Sequence, residues 1–268
     1  MKTKILVAIC ATALFISCSR VPITGRKQMH LLPESELMAM SLTSYRDFLS
    51  KSNLVSDMDA QTEMVKRVGG NIAAAVQRYM VSNKKFAERV AGFKWEFNLV
   101  DDKAINAWCM PGGKVVVYTG LLPVTQTETG LAIVMGHEIA HAIARHGNER
   151  MSQGLLVQLG GIGLSVATSS NSAATQNIFN QSYGIASTLG TLAYSRKHES
   201  EADKLGLVFM SLAGYDPREA PAFWERMAAV SGGGQKPPEI LSTHPSDQTR
   251  IKDIRAFLPQ AMKYYKPA

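Results

Sequence analysis

The sequence predicts an α+β protein that is mostly α-helical. Apolar residues recur at helical spacing over most of the chain, and the pattern becomes β-branched and aromatic only around residues 93–122. With 268 residues, 46% of them hydrophobic and 19% charged, the chain is long enough for a domain with a substantial core. The net charge is +7, but no basic run with interleaved aromatic residues accompanies it. We therefore expect no nucleic-acid partner.

The chain begins with a basic and then apolar segment. Lys2 and Lys4 precede an apolar run from Ile5 to Ile16, which is shorter than the roughly 20 residues of a membrane-spanning helix. We therefore interpret residues 1–17 as a signal peptide. Cys18 follows in "LFISCS", which resembles a bacterial lipobox and predicts acylation of this cysteine. The alternative is an ordinary secretory signal with an incidental cysteine.

The signal peptide sets the expected organisation of the chain. Residues 18–30 are interpreted as a polar tether and residues 31–268 as a single domain. We expect a lipid-anchored protein on the periplasmic face of a bacterial cell envelope, at the outer rather than the inner membrane. The sequence does not indicate an oligomeric state.

The elements follow from periodicity and from turn residues. Helices are expected near residues 31–51, 59–81, 128–151, 196–213 and 217–230, strands at 93–100 and 113–122, and a last helix after Ser246. Residues 154–195 are rich in Gly, Ser, Ala and Asn, which favours loosely packed helices or a mobile cover.

The segment "MGHEIAHAIARHG" places polar side chains on an otherwise apolar helix. His137 and His141 lie one helical turn apart, so both imidazoles can reach one metal ion, and Glu138 stands beside them. This HExxH pattern is typical of two zinc ligands with a general base. The alternative is a chance match of helix polar groups. His146 would lie about 180° round a continuous helix, so we expect a surface or capping residue there.

A third zinc ligand is expected in "SRKHESEADKLG". Glu199 and Asp203 share one helix face, so Glu199 can reach the metal and Asp203 can orient a ligand histidine, while Glu201 points elsewhere. The alternative is a solvated acidic helix paired with Lys197 and Lys204.

Four motifs together resemble a known family. The stretches "NAWCMPGGKVVVYTGLL", "GHEIAHAIARH", "SRKHESEAD" and "STHPSDQTRI" are similar to those of metallopeptidase family forty-eight, the gluzincins, and the start of the chain is most similar to its periplasmic lipoprotein branch. The resemblance implies a zincin-like domain and one zinc ion held by His137, His141 and Glu199. It also implies that Glu138 is the base and that Asp203 supports the ligands.

The resemblance also implies where substrate binds. It points to an edge strand of the small sheet, whose expected contacts are Asn106, Ala107, Gly113, Lys114, Val115 and Val116. It places His244 near the metal, as a reversible fourth ligand or as a hydrogen-bond donor to the oxyanion. Without the resemblance, a core or surface residue is the favoured interpretation of His244.

The expected function is that of a membrane-tethered zinc endopeptidase. Its expected partners are unfolded or mis-assembled envelope proteins and, through the lipid anchor, the membrane. The main alternative is a zinc-stabilised, chaperone-like lipoprotein that binds peptides with little proteolysis. An intact Glu138 argues against that alternative, because a binding module needs no base.

Overall fold

The computed structural model describes residues 17–159, 173–183, 195–232, 240–241, 244 and 248–267. Helices dominate this part of the chain and the strands form two small sheets, which confirms the predicted α+β class. The α-helices are α1 (Glu34–Ser50), α2 (Ala60–Ser82), α3 (Leu122–Thr125), α4 (Glu128–Ile143), α5 (His146–Leu159), α6 (Ala173–Tyr183), α7 (Arg196–Leu212), α8 (Ala220–Gly232) and α9 (Gln248–Ala261). Short 3₁₀ helices cover Ala87–Arg89, Thr119–Leu121 and Pro217–Glu219.

Residues 17–30, which include the expected tether, form an antiparallel β-hairpin. Strand β1 (Ser17–Arg20) pairs with β2 (Lys27–His30), and we call this unit the N-terminal hairpin. Buried side chains such as Val21 and Gln28 fix it to the rest of the fold. The structure thus differs from a solvated tether at this point. Of the expected signal peptide only residue 17 is described, and acylation of Cys18 stays a prediction.

The second sheet is three-stranded, in the order β3 (Glu96–Val100), β5 (Lys114–Tyr118), β4 (Ala107–Met110). Strand β5 is parallel to β3 and antiparallel to β4. The expectation of an edge strand at residues 113–116 is therefore wrong, because both sides of β5 are paired. The antiparallel edge is β4, which begins at Ala107.

The core centres on α4, whose residues from Gly130 to Ile143 are all buried. Thr127 begins this helix by accepting a hydrogen bond from the backbone N–H of Gly130. Helix α7 crosses α4 closely at Gly136 and Gly206. A methyl group added at Gly206 would lie 2.9 Å from the backbone nitrogen of His137. The absence of side chains at this crossing lets two helices bring their polar residues together.

Helix α4 ends earlier than the sequence predicts. The expected helix ran to about residue 151, but α4 stops at Ile143 and α5 starts at His146. Arg145 between them has φ 57°, a left-handed conformation that interrupts a right-handed helix. The break turns α5 into a new direction and changes where His146 lies.

The segment 154–195 is described only in part, since residues 160–172 and 184–194 lie outside the described residues. Within it, α6 packs Ile178 and Phe179 against Leu155 of α5. Among the helices that are described, none combines the length and apolar composition needed to cross a bilayer.

Candidate metal centre and active site

Helix α4 carries three of the predicted site residues. His137, Glu138 and His141 are each at most 3% exposed. The Nε2 atoms of the two histidines lie 3.0 Å apart, as expected for side chains one turn apart on the same face. Glu138 is their direct neighbour on the same helix.

Helix α7 supplies the carboxylate that faces these histidines. The two carboxylate oxygens of Glu199 lie 3.3 Å from Nε2 of His137 and 3.4 Å from Nε2 of His141. Ser195 begins α7 by accepting a hydrogen bond from the backbone N–H of His198, which fixes the first turn where Glu199 stands. The sequence spacing therefore identified the carboxylate that the fold brings to the histidines.

His244 lies beside these residues, although it is 107 residues from His137 in the chain. We call His137, His141, Glu199 and His244 the ligand cluster. Its Nδ1 atom is 2.9 Å from a carboxylate oxygen of Glu199 and 3.3 Å from Nε2 of His137. Its Nε2 atom is 3.6 Å from Oε1 of Glu138. Potential ligand atoms of His137, His141, Glu199 and His244 all lie within 4.8 Å of one another.

The donor set fits a divalent metal ion of the zinc type. Three imidazoles and one carboxylate are common zinc ligands. Within the described part of the structure, Glu138 Oε1 is buried and accepts no hydrogen bond. A buried carboxylate oxygen without a donor is costly, and a cation between it and the imidazole nitrogens removes that cost.

Asp203 stands behind His137, one turn after Glu199 on α7. Its Oδ1 atom lies 2.9 Å from Nδ1 of His137, on the side of the ring that faces away from the cluster. Arg250 of α9 holds the same carboxylate with two hydrogen bonds, of 2.7 and 2.8 Å. The guanidinium also lies 3.4 Å from the centre of the Trp224 ring.

The sequence does not predict this arrangement of Arg250 and Trp224, because the fold supplies Asp203 from another helix as the partner of Arg250. No spacing rule relates residues on separate elements, so the pair had no signal in the chain.

The surroundings shift the pKa values of His137 and Glu138. Burial and Arg250 act to lower the pKa of His137, but hydrogen bonds to Asp203 and Glu199 outweigh them and raise it to about 9. Burial raises the pKa of Glu138, against the opposing effect of the His244 and His137 rings. A raised pKa suits a carboxylate that must accept and then release a proton.

His146 contradicts its predicted position, because it is fully buried rather than at the surface. Because the helix breaks at Arg145, the His146 ring lies against His141, and the Nδ1 atoms of the two rings are 2.9 Å apart. Its Nε2 atom lies 3.0 Å from a carboxylate oxygen of Glu201. Burial lowers the pKa of His146 to about 4, with the hydrogen bond to Glu201 opposing the shift. The ring is therefore neutral at pH 7.

Among the described residues, no strand pairs with the outer edge of β4. Tyr118 donates from its backbone N–H to the carbonyl of Asn106, and alternation along the pair then directs the backbone groups of Ala107 and Cys109 away from β5. The amide of Ala107 is bound by the side chain of Asn106 at 2.9 Å. Helix α4, which carries Glu138, packs against this strand. Burial raises the pKa of the Cys109 thiol, and the charge of Glu138 adds to the shift.

Comparisons with known proteins agree with this geometry. The sequence profile of peptidase family M48 matches residues 66–258. The mitochondrial metalloendopeptidase OMA1 of Schizosaccharomyces pombe is 33% identical over 249 residues, which cover 92% of this chain and 68% of that protein. Human mitochondrial OMA1 is 32% identical over 90% of this chain and 46% of its own length. The β-barrel assembly-enhancing protease of Escherichia coli K12 is 31% identical over 60% of this chain and 34% of its length.

The chain therefore spans less than half the length of the human and bacterial relatives. These matches correct the predicted location in a bacterial cell envelope, because relatives from fungi, animals and plants are mitochondrial enzymes. A short basic and apolar start, even with a following cysteine, does not by itself specify the compartment. The family match and the HExxH helix agree on the class of protein: the chain belongs to peptidase family M48, a family of metallopeptidases.

Proposed function

We propose that this chain is a zinc-dependent endopeptidase that cleaves extended segments of unfolded or misfolded polypeptides. The observation that carries the proposal is the convergence of His137, His141 and Glu199 beside the buried carboxylate of Glu138. Three protein ligands and a neighbouring base are the arrangement of a catalytic zinc site, which keeps one position open.

Peptide-bond hydrolysis requires both the metal and side chains of the protein. Zinc, when bound, lowers the pKa of a water molecule to about 7 and polarises the peptide carbonyl. Glu138 accepts the proton of the attacking water and delivers it to the leaving amine, a transfer that contributes about 10²- to 10⁴-fold. Asp203 holds the His137 ring through Nδ1, which leaves Nε2 for the metal.

The preference for unfolded chains is supported by the edge of β4. The outward backbone groups of Cys109 can pair with an extended peptide, a mode of binding that is independent of side chains. Folded substrates bury such backbone, whereas unfolded segments expose it. Asn106 and Ala107, at the start of β4, lie beside the expected path of the peptide.

The position of His244 supports the role of a fourth metal ligand. Its Nδ1 atom faces Glu199 within the ligand cluster and thus competes for the position that a catalytic site leaves open. In this role His244 keeps the resting site closed and withdraws when substrate enters.

The test compares the wild type with Glu138→Gln. Zinc content is measured by elemental analysis, and proteolysis with unfolded casein as substrate. We expect one zinc per chain in both proteins and a loss of cleavage of at least about 100-fold in the variant. The exposed Glu63 on α2 gives a control, since Glu63→Gln leaves both quantities unchanged.

Two outcomes contradict the proposal. A wild-type protein without zinc excludes the metal, and equal cleavage by Glu138→Gln excludes the base. A zinc-loaded wild type that binds casein without cutting it identifies the peptide-binding alternative instead.

A further inference from the structure

A buried polar cluster links the N-terminal hairpin to His141, on the side of the ring that faces away from the metal-ligand cluster. It consists of Arg26 from the hairpin, His146 and Glu149 from α5, and His198 and Glu201 from α7. Both carboxylates and both rings are buried. Neither Arg26 nor His146 is a member of the ligand cluster around Glu199.

The contacts form a continuous chain from the hairpin to His141. Arg26 bonds Glu201 at 2.8 Å through Nε, and Thr24 of the same hairpin donates its hydroxyl to that carboxylate. The Glu201 carboxylate lies 3.0 Å from Nε2 of His146, whose Nδ1 lies 2.9 Å from Nδ1 of His141.

The hydrogen-bonding properties of these groups determine which ring nitrogen carries a proton at each contact. A carboxylate only accepts hydrogen bonds, so Nε2 of His146 carries the proton that it donates to Glu201. A histidine that binds a metal through Nε2 carries its proton on Nδ1, so Nδ1 of His141 donates across the 2.9 Å contact and Nδ1 of His146 accepts. Nε2 of His141 then keeps its lone pair for the metal.

We propose that His146 and Glu201 are positioning residues that fix the tautomer and orientation of His141, and that Arg26 of the N-terminal hairpin holds Glu201 in place. We call the hydrogen-bonded series from Arg26 through Glu201 and His146 to His141 the relay. The inference rests on the proposed zinc site. It adds that metal affinity depends on a hairpin more than a hundred residues away in the chain. Partners that orient a ligand histidine typically change metal affinity by about 10- to 100-fold.

Glu149 supplies a matched control for Glu201. It bonds the same Arg26 at 2.8 Å, is similarly buried, and receives its histidine contact from His198 at 3.1 Å. The two carboxylates thus share a guanidinium and a degree of burial, but Glu201 is the one that contacts the ring next to His141. If the substitutions acted only by destabilising the fold, Glu201→Gln and Glu149→Gln would have the same effect.

The experiment measures Zn²⁺ affinity of the full chain by competition with a chelator, together with the visible absorption of the Co²⁺ form. We expect Glu201→Gln to lower zinc affinity by about 10-fold or more and to shift the Co²⁺ bands. Glu149→Gln keeps both at wild-type values. Arg26→Met changes zinc affinity in the same direction as Glu201→Gln, since it removes the hairpin from the relay.

Two substitutions at His146 separate positioning from packing. Asn places an amide oxygen near the position of Nδ1 and can still accept from His141, whereas Leu fills similar space without an acceptor. We expect His146→Leu to lose affinity by about 10- to 100-fold and His146→Asn to recover most of it. Thermal unfolding of the metal-free proteins shows whether each variant is folded.

The outcomes distinguish this inference from the proposed function. Equal zinc affinity in wild type and Glu201→Gln, or equal losses in Glu201→Gln and Glu149→Gln, overturns the relay and leaves the zinc site intact. A His146→Asn variant no better than His146→Leu also overturns it. A wild type that binds neither Zn²⁺ nor Co²⁺ overturns the proposed function itself.

Discussion

At the scale of single residues, the position of His244 leads to a direct prediction for the rate of cleavage. Its ring lies within the ligand cluster, 2.9 Å from Glu199 and 3.3 Å from His137. In the proposed zinc site, a histidine at this position would compete with water and substrate for the open position of the metal.

The first prediction concerns His244→Ala, which we expect to raise casein cleavage and to leave zinc content unchanged. If the closed form holds about nine molecules in ten, its removal raises the rate about tenfold. Steady-state cleavage and elemental analysis of the same preparation test this. A fall of about 10²- to 10³-fold with zinc retained identifies an oxyanion donor instead. Unchanged kinetics would remove His244 from the site.

Single residues also show how far the sequence could predict the site. Helical spacing was enough to bring His137 and His141 together and to direct Glu199 and Asp203 to one face. It failed at His146, because the prediction assumed a continuous helix. The left-handed Arg145 breaks that helix, and arginine carries no signal for such a conformation.

At the scale of elements, the crossing of α4 and α7 sets the distance between the two halves of the site. Gly136 and Gly206 allow the backbones to touch, so His137 and Glu199 meet within 3.3 Å. A side chain at either glycine must push the helices apart.

The second prediction follows from this crossing. Gly206→Ala should destabilise the fold by about 1–3 kcal/mol, the usual cost of overpacking, and should lower zinc affinity. Gly70→Ala on α2 is the control, because a methyl group there meets nothing within 4 Å. Alanine at that helical position should be neutral or stabilise by about 0.5–1 kcal/mol. Denaturant unfolding and zinc titration measure both effects, and equal behaviour of the two variants contradicts the close-crossing argument.

Elements were predicted well where periodicity was strong. Helices α1, α2 and α7 lie within a few residues of their expected bounds. The order of the sheet was not predictable, since a strand's own residues do not reveal its neighbours. The apolar run of β5 is typical of a strand covered on both faces, and here it also has partners along both edges.

At the scale of the whole molecule, the candidate metal ligands come from α4, α7 and His244. An ion bound by them would stabilise the assembled fold, because the unfolded chain has no preformed site. The family match confirms the metallopeptidase class predicted from HExxH, and identification of the ion as zinc stays a proposal.

The third prediction concerns removal of the metal. At a free zinc concentration 100 times the dissociation constant, binding contributes about 2.7 kcal/mol to stability. A chelator should therefore lower the Tm by roughly 5–11 °C in a protein of this size. Added Zn²⁺ should restore the Tm, and a His137→Ala variant should show no shift. A chelator without effect on the wild type contradicts a bound structural or catalytic ion.

The hairpin contacts described above also bear on the order of events during folding. Arg26 and Glu201 are separated by 175 residues, and His137 and His244 by 107. Contacts between such distant parts of a chain close large loops and are slow to form. The four candidate ligands therefore meet only after the segment around His244 has docked against α4 and α7, so a chain that has not yet been synthesised to that point lacks the complete set. The connectivity itself delays proteolytic activity until the enzyme is fully assembled.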